Sequence, residues 1–246
     1  MNLSDPDAPL PPRDGGPECD YCQNRRFVLD AHGNLKPCPK CHMVQEWRVS
    51  ALQAYASRSA LSAQQTFDTF QTTFNGRPEP LLLTPLRAAQ RFAEDPEDSW
   101  LVIHGARGCG KSHLCAAVDN ALMARGVPSL FISAPDLIAS LFEAMNTRTE
   151  DGGSLLERRK QVFKAAPVLI LDDLGAEANS PLSEGWIFEI LDYRWRNRLP
   201  TMIATNVHPS QFEERLASRL QDTSLCRVVE NRAPDYRLRP IEEKQP

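Results

Sequence analysis

From residue 100 onward, short apolar runs alternate with longer stretches of helical periodicity. The runs 100–104, 128–133 (around Leu130-Phe131-Ile132), 168–171, 201–205 and 226–229 are apolar with little polar alternation. That pattern suits strands buried on both faces. Between them the 3.6-residue pattern predicts helices over 111–125, 135–145, 155–164, 183–196 and 209–220, with a turn-rich break at 149–153. Strand–helix alternation of this kind predicts an α/β fold, a parallel sheet covered by helices on both faces.

The first hundred residues read differently. Residues 1–17 are rich in Pro, Asp and Gly and are expected to be disordered. Arg26-Phe27-Val28-Leu29 followed by Gly33-Asn34 predicts a strand and a turn, hence a hairpin. A helical pattern with Trp47, Leu52 and Tyr55 covers 45–63, the segment TFDTF fills 66–70, and Pro78 and Pro80 precede a helix expected over 84–94. The expected division is a disordered 1–17, a small module with a linker helix at 18–63, the α/β domain at 64–240 and a tail at 241–246.

Composition adds bounds. The chain has 246 residues, 41% hydrophobic and 24% charged, enough for one good core and a small appendage. No apolar run approaches the roughly 18 residues of a membrane span, and the N-terminus lacks the basic start and apolar middle of a signal peptide. A cytoplasmic protein with no membrane partner is the default expectation. The net charge of −4 gives no global field for nucleic acid, so any DNA contact must come from a local basic cluster.

The most specific chemistry lies at Gly105-Ala106-Arg107-Gly108-Cys109-Gly110-Lys111-Ser112, which fits G-x-x-x-x-G-K-[ST] at every fixed position and sits between a predicted strand and a predicted helix. Such a loop wraps backbone N–H groups around phosphates at a helix N-terminus. Its lysine reaches the β- and γ-phosphates and its hydroxyl reaches Mg²⁺. ATP and Mg²⁺ are the expected ligands. His113, next in the chain, is counted with the nucleotide site. Cys109 occupies a variable position, where a redox switch is a minor reading.

Two further strand ends carry polar groups. The run 168–171 ends in Asp172 and Asp173, two carboxylates at the C-terminal edge where ligands sit in such sheets. Asp172 suits Mg²⁺, and Asp173 suits an attacking water or is a solvated acidic neighbour. The run 201–205 ends in Asn206, which could hold the lytic water against the γ-phosphate or cap the turn before Pro209. Phosphoryl transfer also needs a cation for the developing charge. Arg219 is the candidate, acting in trans on a neighbour's ATP, or else a surface arginine.

Seven cysteines are present, four of them as C-x-x-C pairs, Cys19 with Cys22 and Cys38 with Cys41, separated by fifteen residues. In a cytosolic chain this reads as a four-thiolate zinc pattern, in which four ligands close the coordination sphere, with a redox pair or unrelated thiols as the alternative. Zn²⁺ here would be structural.

Taken together, GARGCGKSHLCAAV, LDDLGAE, LDYRWRNRLPTMIATN, ERLASRL and the late Asp235-Tyr236-Arg237 resemble the AAA+ ATPases of the bacterial replicative helicase-loader family, the DnaC/DnaI type. The resemblance covers about residues 18–240. It implies a P-loop NTPase of AAA+ type, with an ASCE-type parallel sheet, preceded by the zinc-binding module. It implies ATP hydrolysis with Lys111 and Ser112 on phosphate and Mg²⁺, Asp172 on Mg²⁺, Asp173 activating water, Asn206 as sensor and Arg219 as arginine finger. The implied partners are a replicative hexameric helicase, single-stranded DNA and further copies of the chain. Residues 145–164, with Arg148, Arg158, Arg159, Lys160 and Lys164, would match the family's DNA-contacting insertion; by composition alone the cluster, diluted by Glu150, Asp151 and Glu157, also reads as a solvated helix face. Only 27 residues follow Arg219, short for a full helical lid, which leaves Arg237 as a weak substitute for a lid arginine. Phe67 and Phe70 are candidates for an adenine pocket or for plain packing onto the core. The competing functions are a transposition helper ATPase of the IstB type and an ATP-switched adapter with negligible turnover.

Overall fold

The computed structural model describes residues 56, 60–74, 77–97, 99–148, 154–176 and 180–238, together with the backbone of 27–29 and 35–37. Near the N-terminus β1 (Phe27–Leu29) pairs antiparallel with β2 (Leu35–Pro37), the expected hairpin. Cys19, Cys22, Cys38 and Cys41 lie outside the described residues, as do 1–17 and most of the expected linker helix.

A short helix, α1 (Ala60–Gln64), leads through the TFDTF segment to a small hairpin, β3 (Thr73–Phe74) with β4 (Arg77–Pro78). Helix α2 (Pro80–Glu94) starts four residues earlier than the sequence pattern suggests. Proline at the first helical position loses no bond that a helix would make. Glu79 caps the helix by accepting the Leu81 N–H at 3.1 Å.

The rest is one parallel sheet and its covering helices. In chain order come β5 (Trp100–Gly105), α3 (Lys111–Ala124), β6 (Ser129–Ser133), α4 (Ala134–Ala144), α5 (Leu155–Ala165), β7 (Val168–Leu174), α6 (Pro181–Arg196), β8 (Thr201–Thr205), α7 (Glu214–Leu220) and β9 (Cys226–Asn231). The spatial order is β6-β7-β8-β5-β9, with every neighbour parallel. Strand alternation divides the core into two layers. Trp100, Val102, Leu130, Ile132, Leu169, Leu171 and Ile203 face α4, α5, α6 and α7. Leu101, Ile103, Phe131, Val168, Ile170, Met202 and Ala204 face α2 and α3. Both faces of each central strand are therefore dry, which is why these strands read as unbroken apolar runs. Each fully buried aliphatic side chain contributes roughly 2 kcal/mol.

Ser133 ends β6 and at once caps α4 through the Asp136 N–H at 3.1 Å, so strand and helix join without a loop. Ser180 and Ser183 form a capping box that starts α6. The helix expected over 209–220 is not continuous. Pro209–Gln211 is a single 3-10 turn, Phe212 is extended and packs against the core, and α7 begins only at Glu214. Burying the Phe212 ring draws the chain out of helical geometry at that point. Among the described residues no helix is long and apolar enough to cross a membrane.

Candidate functional site

The loop that follows β5 is shaped by its glycines. Gly108 has φ 74° and Gly110 has φ 93°, left-handed values that side chains disfavour, and Gly110 is the residue from which α3 begins. A Cβ on Gly108 would run into the Asp235 carboxylate. The loop thus closes tightly over the first turn of α3, whose positive dipole end and free N–H groups favour an anion.

Lys111, the first residue of α3, is only 5% exposed. Its Nζ donates to the carbonyl oxygens of Gly105 (2.9 Å) and Ala106 (2.8 Å) and to Oδ1 of Asn206 (2.8 Å). Cys109 Sγ lies 3.7 Å away. Burial pushes the Cys109 thiol pKa up, against the thiolate that redox chemistry needs, although Lys111 pulls the other way.

The sheet order brings the other strand ends to the same edge. Thr205 on β8 is level with His104 on β5 and with Leu174 on β7, so the strand that carries Asn206 lies between the phosphate-loop strand and the strand that carries the two carboxylates. Asp172 is 6% exposed and hydrogen-bonds the Ser112 side chain. Burial pushes its pKa up to about 6, with the Asp173 charge adding to the rise and the Ser112 hydrogen bond opposing it. A hydroxyl and a carboxylate in contact beside a phosphate loop form an all-oxygen pair, which suits a hard cation such as Mg²⁺. Asp173 sits where the β7–β8 register shifts and has φ 52°, a strained value that costs about 1 kcal/mol. Its N–H donates to Asp172 Oδ1 at 2.9 Å.

These groups open on a cleft of about 660 Å³, of the size that takes a nucleotide. It is lined by the phosphate loop from Arg107 to His113, by Asp173 and Asn206, and by two walls distant in sequence. One wall is the segment before β3, including Gln64, Gln65, Thr69, Phe70 and Gln71. It is tied to α3 by His113, whose Nε2 lies 2.9 Å from the Thr66 carbonyl oxygen, and by Asn120, whose amide donates to the carbonyls of Ser62 and Gln65 at 2.9 Å each. Phe70 lines the cleft and meets the His113 ring edge-on, whereas Phe67 packs on the core. The other wall is the segment after β9, with Pro234, Tyr236 and Arg237. Its backbone clasps the loop, because the Tyr236 N–H donates to the Gly108 carbonyl at 2.9 Å. The walls carry parts of two motifs that the sequence offers, Thr69 and Phe70 of TFDTF and Tyr236 and Arg237 of the late Asp235-Tyr236-Arg237, but Gln64, Gln65, Gln71 and Pro234 have no local signal, since the contacts span dozens of residues.

Two sets of residues lie elsewhere. Arg219, on α7, does not line the cleft. Its Nε donates to Asp192 Oδ1 at 3.1 Å and its guanidinium stacks 4.2 Å from the Trp195 ring. Among the described residues of the basic stretch 145–164 there is no open cationic face on the helix. Lys160 and Lys164 both pair with Glu189 on α6, at 2.8 and 2.6 Å, and are almost wholly covered. Arg159 donates to the Ser140 carbonyl and to Glu143. Of the five, Arg148 is exposed and Arg158 half-buried.

Known proteins share this plan. The profile of the IstB-like ATP binding protein family matches residues 42–239. The replicative helicase loader DnaC of Escherichia coli K12 is 25% identical over 183 residues, 72% of this chain and 71% of the relative. An insertion sequence IS5376 protein of Geobacillus stearothermophilus, described as ATP-binding, is 26% identical over 212 residues, 82% and 80% of the two chains. The replicative helicase loader DnaI of Bacillus subtilis is 28% identical over 123 residues, but this chain spans only 38% of that relative's length. The crystal structure of a DnaI superposes with TM-score 0.57 at 28% identity, over 71% of this chain and 95% of that one. That of a DnaC helicase loader superposes with TM-score 0.59 at 22% identity, over 71% and 100%, a likeness of fold. With a parallel five-stranded P-loop fold of AAA+ type and a profile match across four-fifths of its length, the chain belongs to the family of IstB-like ATP binding proteins.

Proposed function

We propose that this protein is an ATP-dependent loader of a replicative hexameric helicase onto single-stranded DNA, acting in the cytoplasm. The observation that carries the reading is the convergence of Lys111, Ser112, Asp173 and Asn206 on one nucleotide-sized cleft, with Asp172 buried beside Ser112, while Arg219 stands outside it. Lys111 and the loop N–H groups hold the β- and γ-phosphates. Ser112 and Asp172 hold Mg²⁺, which when bound neutralises charge on the phosphates. Asp173 orients the attacking water and accepts its proton, and Asn206 holds that water in line. Arg219 of an adjacent copy supplies the remaining positive charge, so hydrolysis reports assembly. The helicase-loader relatives support the choice of partner.

The N-terminal module, residues 18–63, is in this reading a structural Zn²⁺ unit built by Cys19, Cys22, Cys38 and Cys41 around the β1–β2 hairpin, and it grips the helicase. Metal analysis of the purified chain should give one zinc per molecule, lost in a C38S/C41S variant.

The deciding experiment is co-purification with the replicative helicase of the same genome, in ATP and in ADP, using the full chain and a chain lacking residues 1–60. Nucleotide-dependent binding that is lost on truncation is the expected result. Absence of helicase binding in every nucleotide state overturns the loader reading. The second reading, a transposition helper, is favoured by the insertion-sequence relative, which aligns over 82% of this chain. A transposase bait tests it. An Asp173→Asn variant should bind helicase but fail to release it, whereas an adapter with negligible turnover would be indifferent to that change.

A further inference from the structure

We propose that Asp192 is the positioning residue for Arg219, fixing one edge of its guanidinium so that the opposite edge is presented to ATP held by a second copy of this chain. The inference rests on the reading of Arg219 as a group acting in trans. Asp192 lies on α6 with its side chain only 4% exposed, and Arg219 lies on α7 at 27%. The carboxylate divides its two oxygens. Oδ1 accepts from Arg219 Nε at 3.1 Å and Oδ2 accepts from Nη2 of Arg196. Beneath the guanidinium lies Trp195, with its ring 4.2 Å from Arg219 Cζ. Trp195 is itself tied down, because its Nε1 donates to Asp222 Oδ2 at 2.9 Å, just beyond the end of α7.

This arrangement holds an arginine by its Nε edge and one face. The guanidinium has five N–H donors in a fixed plane. Among the described residues only the Nε donor is used, and neither Nη group makes a hydrogen bond. The charge balance points the same way. Arg196 already neutralises Asp192, so the three-residue cluster keeps a net charge of about +1, and Arg219 remains a cation able to meet an anion. None of Asp192, Trp195 and Arg219 lines the chain's own cleft, so the anion must be supplied from outside the protomer. An arginine serving only to tie α7 to α6 would gain nothing from keeping its two Nη groups open.

The test uses full-length chains and steady-state ATP turnover over a protein concentration series, with Mg²⁺ and single-stranded DNA present. Wild-type turnover per chain should rise with concentration, and Arg219→Ala should abolish the rise. Asp192→Asn should lower turnover at high concentration about tenfold or more, while the affinity of dilute protein for a fluorescent ATP analogue stays within about twofold. Doping Asp192→Asn with Lys111→Ala chains should restore turnover, because the latter bind no ATP but carry an intact Arg219. A structural defect would not be rescued in this way. Trp195→Leu, which keeps Asp192 in place, should give a smaller loss, also rescued by doping, and covers the case in which Asp192→Asn fails to fold. If Arg219→Ala abolishes the rise but both other variants turn over normally, Asp192 and Trp195 do not position it and the proposal is overturned, with the trans reading intact. If Arg219→Ala turns over like wild type, the trans reading fails and the proposal falls with it. If doping restores neither variant, their losses are structural and the proposal is again overturned.

Discussion

Nζ of Lys111 donates to Oδ1 of Asn206 across 2.8 Å, joining the first residue of α3 to the residue that follows β8. The contact places the sensor candidate and the phosphate lysine in direct competition, because phosphate oxygens seek the same ammonium. Substitutions at Asn206 should therefore split binding from turnover. Asn206→Ala releases Lys111 and should leave ATP affinity within about threefold while lowering turnover by about tenfold to a hundredfold. Asn206→Asp sets a full negative charge against Lys111 and should weaken ATP binding by about tenfold or more. A fluorescent-nucleotide titration of both variants checks this. Equal affinities for the two would mean that the Lys111–Asn206 contact does not compete with phosphate.

Asp172 makes stability depend on pH. Its carboxyl moves from 3.8 to about 6 on folding, chiefly because it is buried. A raised carboxyl pKa means that the folded chain binds more protons than the unfolded chain between those values. Stability contributed by the protonated form is therefore complete at the acid end and is lost as pH rises through about 6, by up to about 3 kcal/mol. Asp172→Asn should remove that slope and, without Mg²⁺ and nucleotide, should be more stable than wild type at pH 7. Urea unfolding of the two proteins at pH 4.5, 6 and 7 is the measurement. Parallel curves at all three would show that Asp172 is not the source.

Four of the five sheet strands and the phosphate loop are legible in the sequence because their signals are local, whereas the edge strand β9 exposes Arg227, Val228 and Glu230 and has the weakest pattern. A strand buried on both faces is apolar throughout, and a loop around phosphates needs glycine at fixed spacing. What was not legible depends on distant partners. Lys160 and Lys164 look like a cationic helix face until Glu189, twenty-five and more residues away, is folded onto them. The Phe212 break inside 209–220 reflects a core that no local window contains. Arg237 lies too late in the chain for a lid arginine to be read from the sequence, yet the segment after β9 brings it onto the cleft wall.

The same segment yields a third prediction. Asn231, 1% exposed at the end of β9, donates its side-chain amide to the Cys109 carbonyl at 2.8 Å, and its own Oδ1 accepts the Ala233 N–H. Turning that carbonyl outward helps to face the loop's N–H groups inward, toward the phosphates. Asn231→Ala should raise the dissociation constant for ATP about tenfold and lower the melting temperature by several degrees. An unchanged ATP affinity in a folded variant would show that the loop holds its shape without Asn231.

Arg194 provides the last prediction, one that concerns the scaffold and leaves the cleft alone. It is fully buried, and its guanidinium donates to the carbonyl oxygens of Phe163, Lys164, Ala166 and Pro200 and to the Thr201 hydroxyl. Three of those carbonyls belong to the C-terminal end of α5, where free acceptors and the negative dipole end favour a cation. The fourth leads into β8. One side chain thus satisfies the helix end and fixes the entry of the strand that carries Asn206. Lysine has three donors on a single atom and cannot span these oxygens, so Arg194→Lys leaves buried carbonyls unpaired at roughly 1–3 kcal/mol each. A loss of about 3–5 kcal/mol in total is expected. Denaturant unfolding measures it, and nucleotide affinity of the fraction that remains folded should be unchanged. A loss below about 1 kcal/mol would mean that water replaces the guanidinium at these oxygens.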